Sequence, residues 1–281
     1  DWADPCLYGA GGAASTSAPT IAPTIALWGD SHASALIPAL DRLGRETGEA
    51  VALYARLGCP PLEDFRWFLQ DRNHSCAGFN RASLASILET PEIATVVLTM
   101  RMALYTEGWV EVGFGERGRR PVIIGTDAAP LAEGADRTDF AMAGLEATVR
   151  TLRAAGKAVV LVYPIPEAPN DVPTTVVRQV MQGGAATGAT IDRALFDRRN
   201  ARVIEAYDRL VAEHGLLAVR PHDHLCDATA CRLVDADGSV LYFDKNHLSV
   251  TGAERLGDLF VPVLAGDRRV DLDATDGGRI E

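Results

Sequence analysis

Two short segments, far apart in the chain, carry residue types that nucleophilic catalysis needs. The first is Gly29-Asp30-Ser31-His32, which follows the apolar run 24–28 and precedes a helix-like pattern. A serine between a strand and a helix lies at the sheet edge where α/β proteins bind ligands. The helix start also offers unpaired N–H groups and partial positive charge to a developing oxyanion. We therefore predict that Ser31 is a nucleophile, if a base takes its proton.

The second segment, Asp244-Lys245-Asn246-His247, supplies the candidate base. His247 lies directly before the predicted last helix, and Asp244 precedes it by three positions. Positions i and i+3 of a helical turn lie on one side, so the carboxylate can hold one ring nitrogen while the other faces the serine. The two segments together predict a triad of Ser31, His247 and Asp244.

The elements that must position these residues alternate between strand and helix. This alternation predicts an α/β fold with a doubly wound parallel sheet of about five strands and helices on both faces. Apolar runs predict strands at 25–28, 50–55, 93–100, 158–163 and 216–219. Helical periodicity predicts helices at 33–47, 80–88, 139–155, 191–213 and 250–264. Pro38 either kinks the first helix or delays its start, and Asp139 and Ser249 are the expected caps of the third and last helices. The turn signal Asp237-Gly238 predicts a hairpin at 226–243.

Composition and charge restrict the class of protein. The 281 residues carry a net charge of −11, which argues against nucleic acid or an anionic membrane surface as partner. The longest apolar run is far shorter than the ~18 residues that span a bilayer, so we expect no membrane span. We expect a linker or packed extension at 1–23, one catalytic domain at 24–265 and a polar tail at 266–281. A start at Asp1 indicates a processed protein or a piece of a longer one.

The five cysteines favour an oxidising compartment. Cys59 and Cys76 are close in sequence, as are Cys226 and Cys231, and close pairs within loops suit disulfides. Cys6 is left over and is either free or paired outside this chain. Spacing alone does not determine pairing, so five reduced thiols in a cytosolic enzyme are the alternative.

Gly29-Asp30-Ser31-His32 and Asp244-x-x-His247-Leu248-Ser249 resemble the SGNH (GDSL-type) hydrolase superfamily. More narrowly, the chain is similar to the SGNH domain fused to membrane-bound acyltransferase family 3 proteins, which O-acetylate bacterial surface polysaccharides. The resemblance covers about residues 24–265. It implies a flavodoxin-like sheet, with Ser31 as nucleophile, His247 as base and Asp244 as its orienting group. Three further stretches are similar: Cys59-Pro60-Pro61 with Cys76, residues 162–167, and Cys226 with Cys231.

The resemblance also raises the question of which groups form the oxyanion hole. The superfamily uses a glycine N–H from its second block, for which Gly58 is the nearest candidate beside Ser31. It also uses an Asn side chain from its third block, but here the corresponding strand ends in Leu98-Thr99-Met100-Arg101. Arg101 either replaces that donor or faces solvent. His32 either lines the pocket and contacts substrate or faces water at the helix start. A missing donor costs about 10²- to 10³-fold in rate, which would suit a slow hydrolase that prefers a sugar acceptor over water.

Three other patterns have competing interpretations. Residues 113–118 match G-x-G-x-x-G, but Arg119-Arg120-Pro121 follows where a dinucleotide site needs a helix, so we interpret them as a loop. His222-Asp223-His224 with Cys226 and Asp227 could hold a metal on a strand, but a disulfide at Cys226 would remove the thiolate. Asp235, Asp237 and Gly238 match only part of a calcium loop. We predict neither a metal site nor a cofactor.

Three functional hypotheses follow. The first is an extracytoplasmic serine O-acyltransferase domain on the periplasmic or extracellular side of the bacterial inner membrane. Its partners would be a polysaccharide acceptor and an acyl donor, the latter delivered by a membrane acyltransferase domain in the same full-length chain. The second is a stand-alone carbohydrate acetylesterase with the same triad. The third is a catalytically silent domain that binds glycans or a partner, which the missing third-block Asn favours.

Overall fold

The computed structural model of the chain describes residues 4–10, 21–69, 72–110, 119–120 and 122–264. Strands and helices alternate along most of this length. The strands are β1 (Cys6–Gly9), β2 (Ile25–Gly29), β3 (Ala50–Ala55), β4 (Arg66–Leu69), β5 (Arg72–Ser75), β6 (Thr95–Thr99), β7 (Trp109–Val110), β8 (Arg119–Arg120), β9 (Ile123–Gly125), β10 (Ala158–Val162), β11 (Thr190–Asp192), β12 (Leu217–Val219) and β13 (Ala230–Arg232). The helices are α1 (Ser31–Thr47), α2 (Ala77–Glu89), α3 (Met102–Glu107), α4 (Arg137–Ala154), α5 (Val172–Met181), α6 (Arg193–His214), α7 (Pro221–Leu225), α8 (Val250–Arg255) and α9 (Val261–Leu264).

Six of these strands form the central sheet, in the order β1-β3-β2-β6-β10-β12. The last five strands of that order pair in parallel, which confirms the predicted flavodoxin-like, doubly wound arrangement. The sixth strand, β1, pairs antiparallel with β3 at the sheet edge. It lies inside the segment that we expected to be a linker or extension, because four residues are too few to show a period in sequence.

The core lies on both faces of this sheet, because residues of each strand alternate between them. On β2, Ile25 and Leu27 belong to one buried cluster, which α1 and α8 cover. Ala26 and Trp28 belong to the other, which α2, α4 and α6 cover. Burial on both faces explains why the inner strands are apolar throughout.

Several helices differ from the prediction in where they begin or in which residue caps them. Helix α1 begins at Ser31, two residues earlier than expected, with Asp30 as its N-cap and Pro38 inside it. The cap of α4 is Asp136 and not Asp139. Helix α5, at Val172–Met181, was not predicted.

The hairpin and the cap of the last helix agree with the prediction, and only the length of that helix differs. The chain turns at Asp235–Ser239, where the Asp235 N–H donates to the Ser239 carbonyl, and Val234 pairs with Val240. Ser249 caps α8 as predicted, with its Oγ accepting from the Gly252 N–H at 3.0 Å. The predicted helix over 250–264 is divided into α8, a 3₁₀ turn at Gly257–Phe260 and α9. The glycine-rich pattern at 113–118 lies outside the described residues.

Both expected disulfides are present. Cys59 bonds Cys76, and Cys226 bonds Cys231, whereas Cys6 is free and exposed. Among the helices of the described ranges, none is both long and apolar enough to cross a membrane.

Candidate active site

The fold brings the two ends of the predicted triad together. The Ser31 Oγ lies 2.8 Å from the His247 Nε2, across 216 positions of sequence. The other ring nitrogen of His247, Nδ1, lies 2.7 Å from the Asp244 Oδ2. Both separations are within the hydrogen-bond range expected for a nucleophile, its base and the group that orients the base.

Asp244 shapes the loop that carries His247 as well as holding its ring. The second carboxylate oxygen, Oδ1, accepts the backbone N–H groups of Asn246 and His247, each at 2.8 Å. Burial by itself would raise the pKa of Asp244. The hydrogen bonds from the His247 ring and from these two N–H groups outweigh it, and the pKa is lower than usual. The carboxylate is therefore ionised at neutral pH and can stabilise an imidazolium.

Ser31 lies where strand β2 ends and helix α1 begins, at the carboxyl edge of the sheet. As the first residue of the helix, it has an N–H with no partner inside the helix. The positive end of the helix dipole adds to the field at this point. The start of the helix therefore offers a backbone N–H and a positive field beside the serine.

Gly58 follows strand β3, the neighbour of β2 in the sheet. Its φ of 70° lies in the left-handed region, and a Cβ built on it would come within 2.4 Å of the Trp67 ring. Within the described part of the chain, no backbone carbonyl accepts a hydrogen bond from the Gly58 N–H. The residue is therefore held in a turn that only glycine fits.

The structure corrects one of the two alternatives that we gave for Arg101. Its side chain does not face solvent, because it is buried and donates to the Glu167 Oε2 at 2.5 Å. That it replaces the third-block Asn as an oxyanion donor stays a prediction. Arg199 shares the same carboxylate at 3.3 Å. Burial opposes ionisation of Glu167, but these two guanidinium groups hold its pKa at about 2. Arg101 thus belongs to a buried ionic cluster with Glu167 and Arg199.

The alternatives for His32 are corrected in the same way. The side chain is only 2% exposed, so it neither faces water nor lines an open pocket. Its Nε2 lies 3.2 Å from the Asn246 Oδ1, and its ring packs edge-on against the His247 ring with centroids 5.4 Å apart. Burial, with help from the charge on Arg101, lowers the pKa of His32 despite the opposing effect of Asp30. The ring is therefore neutral at neutral pH.

The Asp30 carboxylate accepts three hydrogen bonds in this site. One carboxylate oxygen accepts the His32 N–H at 2.9 Å, which is the N-cap bond of α1. The other accepts the Arg101 N–H at 2.9 Å and the Tyr105 hydroxyl at 2.8 Å. An Asp directly before a helical pattern is an N-cap signal that could have indicated the first bond. Nothing in sequence indicates the other two.

The rival metal reading of 222–224 does not match the observed geometry. These residues lie on helix α7 and not on a strand, so two imidazoles two positions apart do not share a face. His222 is buried against the Phe196 and Tyr163 rings, and Cys226 is in a disulfide. No group of three or more His, Cys, Asp or Glu residues suited to a metal occurs among the described residues.

Solved structures that are similar to this chain include a lipopolysaccharide acetyltransferase domain and a GDSL-like lipase. The periplasmic domain of a Salmonella ser. Paratyphi A lipopolysaccharide acetyltransferase has a TM-score of 0.61 at 14% identity, over 86% of this chain and 84% of that one. TesA has a TM-score of 0.45 at 14% identity, over 86% and 98% of the two chains. A GDSL-like lipase from Bacteroides thetaiotaomicron has a TM-score of 0.45 at 10% identity, over 86% and 87%. At these identities the likeness concerns the fold alone.

A comparison with family models agrees with the resemblance seen in the motifs. No curated protein matches this chain. The family described as "SGNH domain (fused to AT3 domains)" matches residues 1–262, which is most of the chain. The protein therefore belongs to the family of SGNH domains that are fused to AT3 domains.

Proposed function

We propose that this domain is an extracytoplasmic, serine-dependent O-acyltransferase that modifies a bacterial surface polysaccharide, with acetyl as the acyl group. The observation that carries the proposal is the continuous hydrogen-bonded series from Ser31 through His247 to Asp244, at 2.8 and 2.7 Å. A serine is a weak nucleophile without such a base. The series provides the base and the carboxylate that orients it.

The reaction has two halves. In the first, the Ser31 Oγ attacks the acyl carbonyl carbon while the His247 Nε2 takes the hydroxyl proton. The imidazolium then returns this proton to the leaving group, and an acyl-serine ester remains. In the second half, His247 takes the proton of an acceptor hydroxyl, whose oxygen attacks the ester carbonyl, and Ser31 is regenerated with that proton.

Charge on the carbonyl oxygen develops in both halves. We propose that the N–H groups of Ser31 and Gly58 bind this oxygen. The Arg101 side chain donates to Glu167. Two backbone donors in place of three groups predict a slower enzyme than a hydrolase with the full set, by about 10²- to 10³-fold. Slow attack by water would leave time for a bound sugar to compete for the acyl group.

Three observations support the placement and the partners. The matched family consists of SGNH domains fused to AT3 domains, which fits delivery of the acyl group by a membrane acyltransferase domain. The solved domain with the TM-score of 0.61 is described as periplasmic and part of a lipopolysaccharide acetyltransferase. Two disulfides suit an oxidising compartment.

Transfer of radiolabelled acetyl groups tests the proposal. The domain is first loaded with labelled p-nitrophenyl acetate, and then mixed with surface oligosaccharides of the source bacterium. We expect labelled acetyl-Ser31 by peptide mass analysis, followed by labelled oligosaccharide. The variants Ser31→Ala and His247→Ala should form neither the labelled acetyl-enzyme nor labelled oligosaccharide. Transfer that survives Ser31→Ala would overturn the proposal.

The same experiment decides between the transferase and a carbohydrate acetylesterase. The His247 side chain is 27% exposed, so water as well as a sugar can reach the base. If acetate is released at a rate that oligosaccharide does not change, and no acetylated sugar forms, the esterase is correct. If a fluorophosphonate probe fails to label Ser31 in the folded wild-type domain, the silent glycan-binding domain is correct.

A further inference from the structure

Two hydrogen bonds join the first turn of α1 to the loop at 244–247, and they differ in what happens to them during the reaction. The first is the bond between Ser31 and His247. The second joins the next residue, His32, to Asn246, the residue before His247, across 214 positions. The two bonds thus run side by side between the same two segments.

The first bond is lost when the serine is acylated. The ester oxygen has no proton to share and is a poor acceptor, so it no longer holds the His247 Nε2. Asp244 still orients the ring within the loop. It does not tie the ring to α1, because Asp244 belongs to the same loop as His247. The bond between His32 and Asn246 takes no part in the chemistry and survives acylation.

The surroundings of the bond between His32 and Asn246 allow it to hold the loop against α1 while Ser31 is acylated. His32 and Asn246 are 2% and 4% exposed, so water does not compete for the bond. Because the Asn246 Oδ1 is an acceptor, the His32 Nε2 must carry the proton. The Asn246 N–H is held by Asp244, and the His32 N–H by Asp30, so the backbone of each partner is already constrained. The edge of the His32 ring also packs against the His247 ring.

We propose that His32 and Asn246 are positioning residues for the second half-reaction, and that their hydrogen bond keeps His247 beside the acyl-serine while the acceptor is deprotonated. This inference rests on the proposed function, since it requires an acyl-serine. It predicts an asymmetry: loss of the bond impairs deacylation more than acylation. In the free enzyme the Ser31–His247 bond still aligns the two groups, whereas in the acyl-enzyme it does not.

Burst kinetics with p-nitrophenyl acetate separate the two halves. The burst of p-nitrophenol reports acylation, and the steady phase reports deacylation. We expect His32→Leu and Asn246→Leu to leave the burst rate largely unchanged and to slow the steady phase by about 10- to 100-fold, as expected for a misplaced catalytic group. Intact mass spectrometry should show the acetylated form of each variant accumulating. His32→Gln keeps a side-chain N–H donor and should recover part of the deacylation rate.

Two controls exclude a general effect on the fold. His222→Leu alters another buried histidine, on α7, and should leave the ratio of the two phases at the wild-type value. The double variant His32→Leu/Asn246→Leu should be no slower in deacylation than the slower single variant, because both remove one bond.

The outcomes separate this inference from the proposed function. A wild-type domain that shows neither a burst nor acetyl-Ser31 would overturn the proposed function and the inference with it. If the wild-type domain shows a burst but the variants slow both phases equally, or change neither phase, the inference is overturned and the proposed function stands. A single variant that fails to fold is replaced by His32→Ala or Asn246→Ala, for which the same ratio is measured.

Discussion

The Asp30 carboxylate accepts the backbone N–H of Arg101 at 2.9 Å, although the two residues are 71 positions apart. Asp30 follows strand β2 and caps α1, and Arg101 follows strand β6. The bond therefore ties the start of the serine-bearing helix to the loop after the neighbouring strand. The residue before the proposed nucleophile therefore anchors the start of α1 to that loop.

Asp30→Ala tests this anchor. The change leaves three donors, the N–H groups of His32 and Arg101 and the hydroxyl of Tyr105, without their acceptor in a buried site. We expect the free energy of unfolding to fall by about 3 kcal/mol or more, with a large loss of acetyl transfer. Tyr105→Phe removes one of the three bonds and should cost about 1 kcal/mol. Urea unfolding measures both, and equal costs would contradict the anchor.

Gly58→Ala tests the proposed oxyanion donor. A Cβ at this position strains a backbone with φ of 70° and meets the Trp67 ring, so the turn must move and take the N–H with it. We expect kcat to fall by about 10²- to 10³-fold, as for removal of an oxyanion donor. Gly48→Ala is the matched control: its φ is 83°, but nothing lies within 4 Å of the added Cβ. It should lower stability by about 1 kcal/mol with kcat unchanged.

Glu167 gives the domain a pH-dependent stability that can be measured. Its folded pKa of about 2 lies below the ordinary 4.5, so its stabilising effect is complete above about pH 4.5 and is lost as the pH falls toward 2. The loss amounts to about 3 kcal/mol. Glu167→Gln should remove this dependence and lower stability at pH 7 by at least as much, because Arg101 and Arg199 lose the carboxylate that they share.

The control for Glu167 is Glu205→Gln, which breaks an exposed pair with Arg209. It should change stability by less than about 0.5 kcal/mol at any pH. Chemical denaturation of the three proteins between pH 2 and 7 provides the comparison. A wild-type curve that is parallel to that of Glu167→Gln over this range would show that the ionic cluster does not stabilise the fold.

The two disulfides should differ in their effect on catalysis. Cys59 and Cys76 are 17 positions apart, so Cys59→Ala/Cys76→Ala should cost about 3 kcal/mol of stability. This bridge also begins at the residue after Gly58, so kcat should fall with it. Cys226→Ala/Cys231→Ala opens a loop of only 5 positions and should cost about 2 kcal/mol with a smaller effect on kcat. Equal kcat values for both double variants would argue against a link between the first bridge and Gly58.

Sequence patterns determined the parallel sheet, its doubly wound order and the three residues of the proposed triad. They did so because inner strands buried on both faces must be apolar, because Ser31 lies at a sharp boundary between such a run and a helix, and because Asp244 and His247 have the i, i+3 spacing of an orienting carboxylate and its base just before the last helix. Edge strand β1 and the cap at Asp30 were not predicted, and Asp139 was predicted as a cap in place of Asp136. Their signals are one to four residues long, and competing local signals are equally strong.

Only the tertiary structure decided what surrounds the triad. The Glu167 carboxylate meets two guanidinium groups, His32 meets Asn246, and Asp30 meets Arg101, in each case across at least 32 positions of sequence. Sequence periodicity tells which face of an element is buried, but not which polar group of a distant element lies opposite. That choice depends on strand order and on how closely the loops at the carboxyl edge of the sheet approach one another.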